Sequence, residues 1–316
     1  MREPEPHPVV VFPHRHVPIA RSGGPRQAIP LELAAPLALG QRGLVVAPHR
    51  TGATTVLRWL GDALVAAVPG LELHVVLVDR PVEEHAEWRE ELPTAQVVGT
   101  SAEVSGPEEH VALARVFNEA AARAADGADV AVLVDSLGAL ARALAATHDH
   151  ADGRVLDGGL PQTALRELRE WFGRARAGGE GGSGGTLTIL ATVQAETTSR
   201  LDEVVLHELV GTGNVEWRLD REVMDAGLFP PVDILASGAR RTELIVGEQE
   251  ADRRAALRAH VDSHGTVAGL GTLITLLDEH LTLEAVLDAV TGIPSDRAPR
   301  PSAGDADAWT IDDLDL

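Results

Sequence analysis

The chain has no cysteine, no lysine and no tyrosine, and only 3% of its 316 residues are aromatic. Without cysteine there is no disulfide framework, no thiolate metal site and no cysteine nucleophile. No stretch approaches the roughly 20 uninterrupted apolar residues of a membrane-spanning helix, and the opening MREPEPHPVVVFPHRHVP has no apolar run long enough for a signal peptide. A soluble, cytoplasmic protein without membrane contact is the expectation. Arginine supplies all 27 basic side chains against 48 acidic ones, a formal charge of −21. Such a field opposes polyanions at long range and weighs against generic nucleic-acid binding, while a local arginine-lined pore stays open.

A hydrophobic content of 44% is enough for a large core. Strand-like runs alternate with helical ones: strands over 43–47, 71–79, 95–99, 128–135 and 186–193, and helices over 52–68, 83–91, 107–125, 136–146 and 162–177. Strands that read as continuous apolar runs, separated by helices, predict an α/β fold with a mostly parallel sheet covered on both faces. Ligands of such sheets bind beyond the carboxyl ends of the strands. Here those ends carry the loop Pro48–Thr54, Asp79-Arg80, Asp135-Ser136 and Gln194.

The stretch GLVVAPHRTGATT, residues 43–55, has the parts of a phosphate-binding loop: a β-branched run, a turn with Pro and Gly, and a helix start. That chemistry needs backbone N–H groups for phosphate, a hydroxyl and an aspartate for Mg²⁺, a lysine across the β and γ phosphates, and a carboxylate to orient water. Thr54 and Asp135 fill the hydroxyl and aspartate roles. The lysine position is Ala53. General drift of lysine to arginine would have left arginine there, so composition does not explain the alanine.

The order of motifs resembles the ATPase domain of the bacterial transcription termination factor Rho, a RecA-like, ring-forming RNA translocase. The family's GQRGLIVAPPKAGKT is similar to residues 40–54, its LLDSITRLAR to LVDSLGALAR at 133–142, and its GKVLTGG to GRVLDGG at 153–159. Its MDEVIYEEFKGTGNMEL is similar to residues 201–217, and its VFPAIDYNRSGTRKEELL to residues 228–245. The resemblance implies a RecA-like P-loop NTPase fold with a small helical C-terminal part. It also implies a nucleotide loop at Pro48, His49, Arg50, Thr51, Gly52, Ala53, Thr54 and Thr55, Mg²⁺ contact through Thr54 and Asp135, an arginine finger at Arg240, and RNA contacts in a central pore at Arg154 and Arg200. ATP and Mg²⁺ are the implied ligands, with a weakened hold.

Departures from the family are equally specific. The catalytic glutamate that follows aspartate in DERPEE is either met by Arg80 or deleted in DRPVEE, and Glu83 and Glu84 match later carboxylates of that run. The Thr-Arg of DSITRLAR becomes Gly138-Ala139. About forty residues precede Gly40, too few for the RNA-loading OB barrel that Rho carries there, so primary RNA loading is expected to be missing.

Other features admit blander readings. Arg50 reads as a rim residue rather than a replacement cation, His49 as an alteration of the loop, and His14 and His16 as solvated. His148, Asp149, His150 and Asp152 are either metal ligands or a solvated turn. The run Glu83–Glu91 reads as an exposed helical face. The expected organisation is a Pro-rich segment over 1–29, the Rho-like domain over 30–291, and an acidic disordered tail over 292–316. That tail is either a docking peptide, through Trp309, Ile311, Leu314 and Leu316, or a solubilising extension. The function read from these residues is a divergent Rho-like protein related to transcription termination with impaired ATP hydrolysis, assembled as a homo-oligomer or a mixed ring with a housekeeping Rho. The alternative is the same fold recruited as a small-molecule enzyme around His49, Arg50, Arg80 and Asp135.

Overall fold

The computed structural model describes residues 11–20, 24–100, 107–148, 154–178 and 184–292, the side chains of 107–110 excepted. Asp149, His150 and Asp152 of the metal reading, the centre of the glycine-rich insert and the tail beyond residue 292 lie outside the described residues. The elements in order are β1 (His16–Val17), α1 (Ile29–Ala34), β2 (Leu37–Ala38), β3 (Arg42–Ala47), α2 (Ala53–Ala67), β4 (Glu72–Leu77), α3 (Val82–Glu91), β5 (Gln96–Gly99), α4 (Pro107–Ala125), β6 (Val130–Asp135), α5 (Leu137–Thr147), α6 (Gln162–Gly173), β7 (Leu187–Gln194), α7 (Arg200–Val210), β8 (Val215–Leu219), α8 (Arg221–Asp225), β9 (Val232–Ala239), α9 (Thr242–Val246), α10 (Glu248–Asp262), α11 (Thr266–His280) and α12 (Leu283–Thr291).

Seven strands form one sheet in the order β5-β4-β6-β7-β3-β8-β9. Every pairing is parallel except β8 with β9. Because side chains alternate along a strand, neighbouring apolar residues feed opposite layers. Leu44 and Val46 of β3 join Val132, Val134, Ile189 and Ala191 under α4, α5, α6 and α7. Val45 and Ala47 join Val75, Leu133 and Trp217 under α2 and the C-terminal helices. The helical C-terminal part anticipated from the sequence is α9 through α12, whose Leu257, Leu273, Leu277 and Leu287 complete that second layer.

Two local expectations are corrected. The helix expected over 162–177 stops at Gly173, because the next segment pairs with the sheet: Arg176 and Leu187 exchange both backbone hydrogen bonds. That segment runs hard against Gly40, where a Cβ would lie 2.4 Å from Ala177 N, so the glycine at φ +86° is required by the close approach. His16 is not solvated. Its Nε2 lies 2.8 Å from Glu32 Oε1, and the neighbouring Val17 and Ile19 are buried in the core.

Candidate nucleotide site

The loop between β3 and α2 closes on itself through its own backbone. Thr51 is fully buried and its hydroxyl donates to Pro48 O at 2.8 Å. Arg50 and Gly52 have φ of 60° and 79°, the left-handed values that turn the chain into α2. At Gly52 the lack of a side chain is also steric, since a Cβ would lie 2.4 Å from the Phe229 ring. Helix α2 starts at Ala53 with no side-chain cap and no acid in its first turn. The N–H groups of Ala53, Thr54 and Thr55 are therefore first-turn donors with no intrahelical acceptor, at the positive end of the helix dipole. This cradle is built from backbone, and the lysine replaced by Ala53 plays no part in its shape.

Around it the strand ends deliver side chains. Asp135, at the end of β6, is fully buried. Its Oδ2 accepts from the Thr54 hydroxyl at 2.8 Å, and its Oδ1 accepts from the Thr192 hydroxyl of β7 at 2.6 Å and from Arg80 Nη2 at 2.5 Å. Arg80 is set by the turn after β4: its N–H donates to Thr100 O at 3.2 Å, while Asp79, at φ 55°, donates its N–H to Thr100 Oγ1 at 3.1 Å. Glu84 of α3 lies 3.7 Å from Arg80 Nε, and its Oε2 is buried without a hydrogen bond among the described residues. Burial raises the Glu84 carboxyl above its ordinary value, a tendency that the Arg80 charge only partly offsets.

Direct coordination of a divalent cation by Asp135 does not fit this arrangement. Asp135 already receives three donors, one of them a guanidinium, so a metal ion there would have to displace a like charge held 2.5 Å from the carboxylate.

The other sequence-derived residues are distributed unevenly. His49 and Arg50 are exposed at the loop tip; His49 Nδ1 lies 3.2 Å from Gln194 Nε2, and Arg221 donates to the His49 carbonyl. Gly138 admits Asp202, because a Cβ at that position would lie 2.2 Å from Asp202 Oδ1, and Arg142 closes the same carboxylate at 3.3 Å. Arg154 and Arg200 are both exposed. The turn that follows Arg154 packs on the start of α7, with the Gly158 Cβ position 2.4 Å from Leu201 N, so the two segments share one side of the molecule. His148 Nε2 lies 2.8 Å from Glu167, and among the described residues no group of three or more metal-ligating side chains forms.

Arg240 is absent from this cluster. It follows β9, and Ala239 pairs with Val215 at the level of Gly43, so Arg240 lies at the amino ends of the parallel strands. The phosphate loop lies at their carboxyl ends, roughly 15–20 Å away along a six-residue strand. There Arg240 donates its N–H to Asn214 O at 2.8 Å beside a shallow cavity of about 260 Å³ shared with Asn214, Glu216 and Ser237. Burial and the nearby Arg240 charge lower the Arg42 guanidinium from its ordinary value, and Arg42 binds Thr212 O at 2.9 Å. The segment GTGN, residues 211–214, thus organises this far edge.

Thr192, Thr100 and Arg221 were not singled out in the sequence. Thr192 had a local signal, a hydroxyl inside the buried run TLTILATV; Thr100 and Arg221 had none, since their partners are remote in sequence.

Comparison with known proteins gives the family of the fold. Residues 30–239 match the model of the ATP synthase alpha/beta family, nucleotide-binding domain. The transcription termination factor Rho of Streptomyces lividans is 42% identical over 223 residues, which are 70% of this chain and 30% of that protein. The Rho proteins of Cereibacter sphaeroides and Bacillus subtilis are each 39% identical, over 80% and 72% of this chain and 58% and 52% of their own lengths. The chain thus spans between about a third and three fifths of these relatives. An ATPase from the type III secretion system of pathogenic bacteria superposes with a TM-score of 0.69 at 19% identity, covering 83% of this chain and 72% of that one, a likeness of fold. Among the described residues no helix is long and apolar enough to cross a membrane. By the match over residues 30–239 and these identities, the chain belongs to the ATP synthase alpha/beta nucleotide-binding family and is a homologue of transcription termination factor Rho.

Proposed function

We propose that this protein is a nucleotide-binding, weakly hydrolysing or non-hydrolysing Rho-like subunit with a role in transcription termination or its regulation. The observation that carries the reading is the contrast within the cleft: an intact backbone cradle beside Arg80, whose guanidinium occupies Asp135. Whether the family's catalytic glutamate is met by Arg80 or deleted, no general base takes its place, because a guanidinium cannot take a proton from water. Ala53 leaves the transferring phosphoryl group without its lysine. Each loss removes a preorganised electrostatic group of a kind worth on the order of 10²-fold in rate or more.

The position of Arg240 supports assembly. An arginine at the opposite sheet edge can reach a nucleotide only in a neighbouring subunit, which fits a homo-oligomer or a mixed ring with a housekeeping Rho. Arg154 and Arg200, exposed on one side, fit weak and strongly salt-dependent RNA contact in the pore of such a ring. ATP hydrolysis with and without poly(C) RNA, measured beside native mass, tests the reading. The expected result is nucleotide binding without RNA-stimulated turnover, small concentration-dependent oligomers, and inhibition of a housekeeping Rho that Arg240→Glu weakens. Robust turnover refutes the loss of hydrolysis. A sharp monomer that ignores Rho refutes the ring and favours a recruited enzyme.

A further inference from the structure

We infer that the Arg80 guanidinium stands in for the divalent cation of the phosphate site, so that the protein binds nucleoside di- and triphosphates free of metal and magnesium does not assist their binding. This rests on the nucleotide-site reading above and names the form of ligand that the site takes.

Three observations carry it. The first is position: Arg80 and Thr54 converge on one carboxylate, that of Asp135, from β4 and from the phosphate loop. The charge of Arg80 is thus beside the hydroxyl at the start of α2, next to where the loop would hold phosphate. The second is fixity. The backbone of Asp79 and Arg80 is bound on two sides by Thr100, itself only 6% exposed, so the guanidinium is carried on a braced turn. The third is unused capacity. Arg80 presents five N–H donors in a planar fork, of which Nη2 is given to Asp135 while Nε faces Glu84 Oε2 at 3.7 Å. Its side chain is 29% exposed while that of Asp135 is 1% exposed, so the pair is closed on the carboxylate side and open on the guanidinium side. Guanidinium groups pair with phosphate oxygens in the same forked geometry that they use with carboxylates. Metal-free phosphate meets this cation directly, whereas a magnesium complex brings a second cation against it.

The test is binding of a fluorescent methylanthraniloyl-ADP to the full chain in EDTA and in saturating MgCl₂, with a separate Mn²⁺ titration followed by electron paramagnetic resonance. The wild-type protein is expected to bind the probe in EDTA, with affinity unchanged or lowered by MgCl₂, and to leave Mn²⁺ free. Arg80→Gln is expected to weaken binding in EDTA by about tenfold, the scale of one charge-assisted contact, and to make the remaining binding tighten with MgCl₂. Arg80→Lys should keep part of the metal-free binding. Magnesium-dependent binding by the wild type, or stoichiometric Mn²⁺ uptake, overturns the inference and leaves the nucleotide site standing. No probe binding in either condition overturns the nucleotide-site reading itself. The wild-type arms decide the matter even where a variant fails to fold.

Discussion

Glu32 and Asp135 are both buried carboxylates bound to an arginine, and they serve opposite ends. Glu32 receives Arg254 at 3.0 Å, the Ile19 N–H at 2.8 Å and His16 at 2.8 Å, and Arg254 also reaches the Glu32 carbonyl at 2.8 Å. Both side chains of that ion pair are closed off, at 3% and 7% exposure. The cluster ties β1 and the following turn to α1 and α10, and its product is cohesion. In the Asp135 cluster the arginine is the open partner. Chemistry of the same kind becomes structural when both charges are sealed and becomes a candidate site when the cation stays accessible.

The contrast is broken most strongly at Glu32. Glu32→Ala strands the buried Arg254 and removes the acceptor of Ile19 N–H, and should cost about 3–5 kcal/mol in chemical denaturation. An effect under about 1 kcal/mol would place the cluster with ordinary surface pairs.

Acid should act through the same group. Burial by itself raises the Glu32 carboxyl, but the hydrogen bond to His16, the charges of Arg254 and His16 and the Ile19 N–H together lower it from 4.5 to about 2. A carboxylate depressed in the folded state contributes stability that is complete above its unfolded value and is lost as pH falls from about 4.5 to about 2. The sum is about 3 kcal/mol, measurable as a pH-dependent shift in denaturation midpoint that Glu32→Gln should largely abolish.

At the phosphate loop the vulnerable feature is backbone. Gly52→Ala puts a Cβ at positive φ and against Phe229, and should cost about 2 kcal/mol while also weakening nucleotide binding. Retained stability together with retained binding would show that the loop can rebuild its turn.

The smallest expected effect on stability is at Arg80. Because its side chain is partly exposed and Asp135 keeps the hydroxyls of Thr54 and Thr192, Arg80→Gln should change stability by about 1 kcal/mol or less while altering ligand binding. A loss as large as that of Glu32→Ala would make Arg80 a structural residue and erase the difference between the two clusters.

Features with local causes could be read directly from the order of residues. The alternation of apolar runs with amphipathic stretches set the succession of strands and helices along the chain, since burial of a strand or helix face is written in neighbouring residues. The turn and helix start within residues 48–55 were equally legible, because a left-handed turn at Gly52 and a helix start at Ala53 need only the few residues around them. The end of α6 was not, because backbone pairing of Arg176 with Leu187 prevailed over helical continuation. Nor was the pairing of His16, whose partner lies 16 residues away in α1. Tertiary structure alone decided that Arg80 meets Asp135 across 55 residues of chain, and that Arg240 lies at the opposite edge of the sheet. Strand order and direction bring such residues together or hold them apart, and those follow from how the whole core packs.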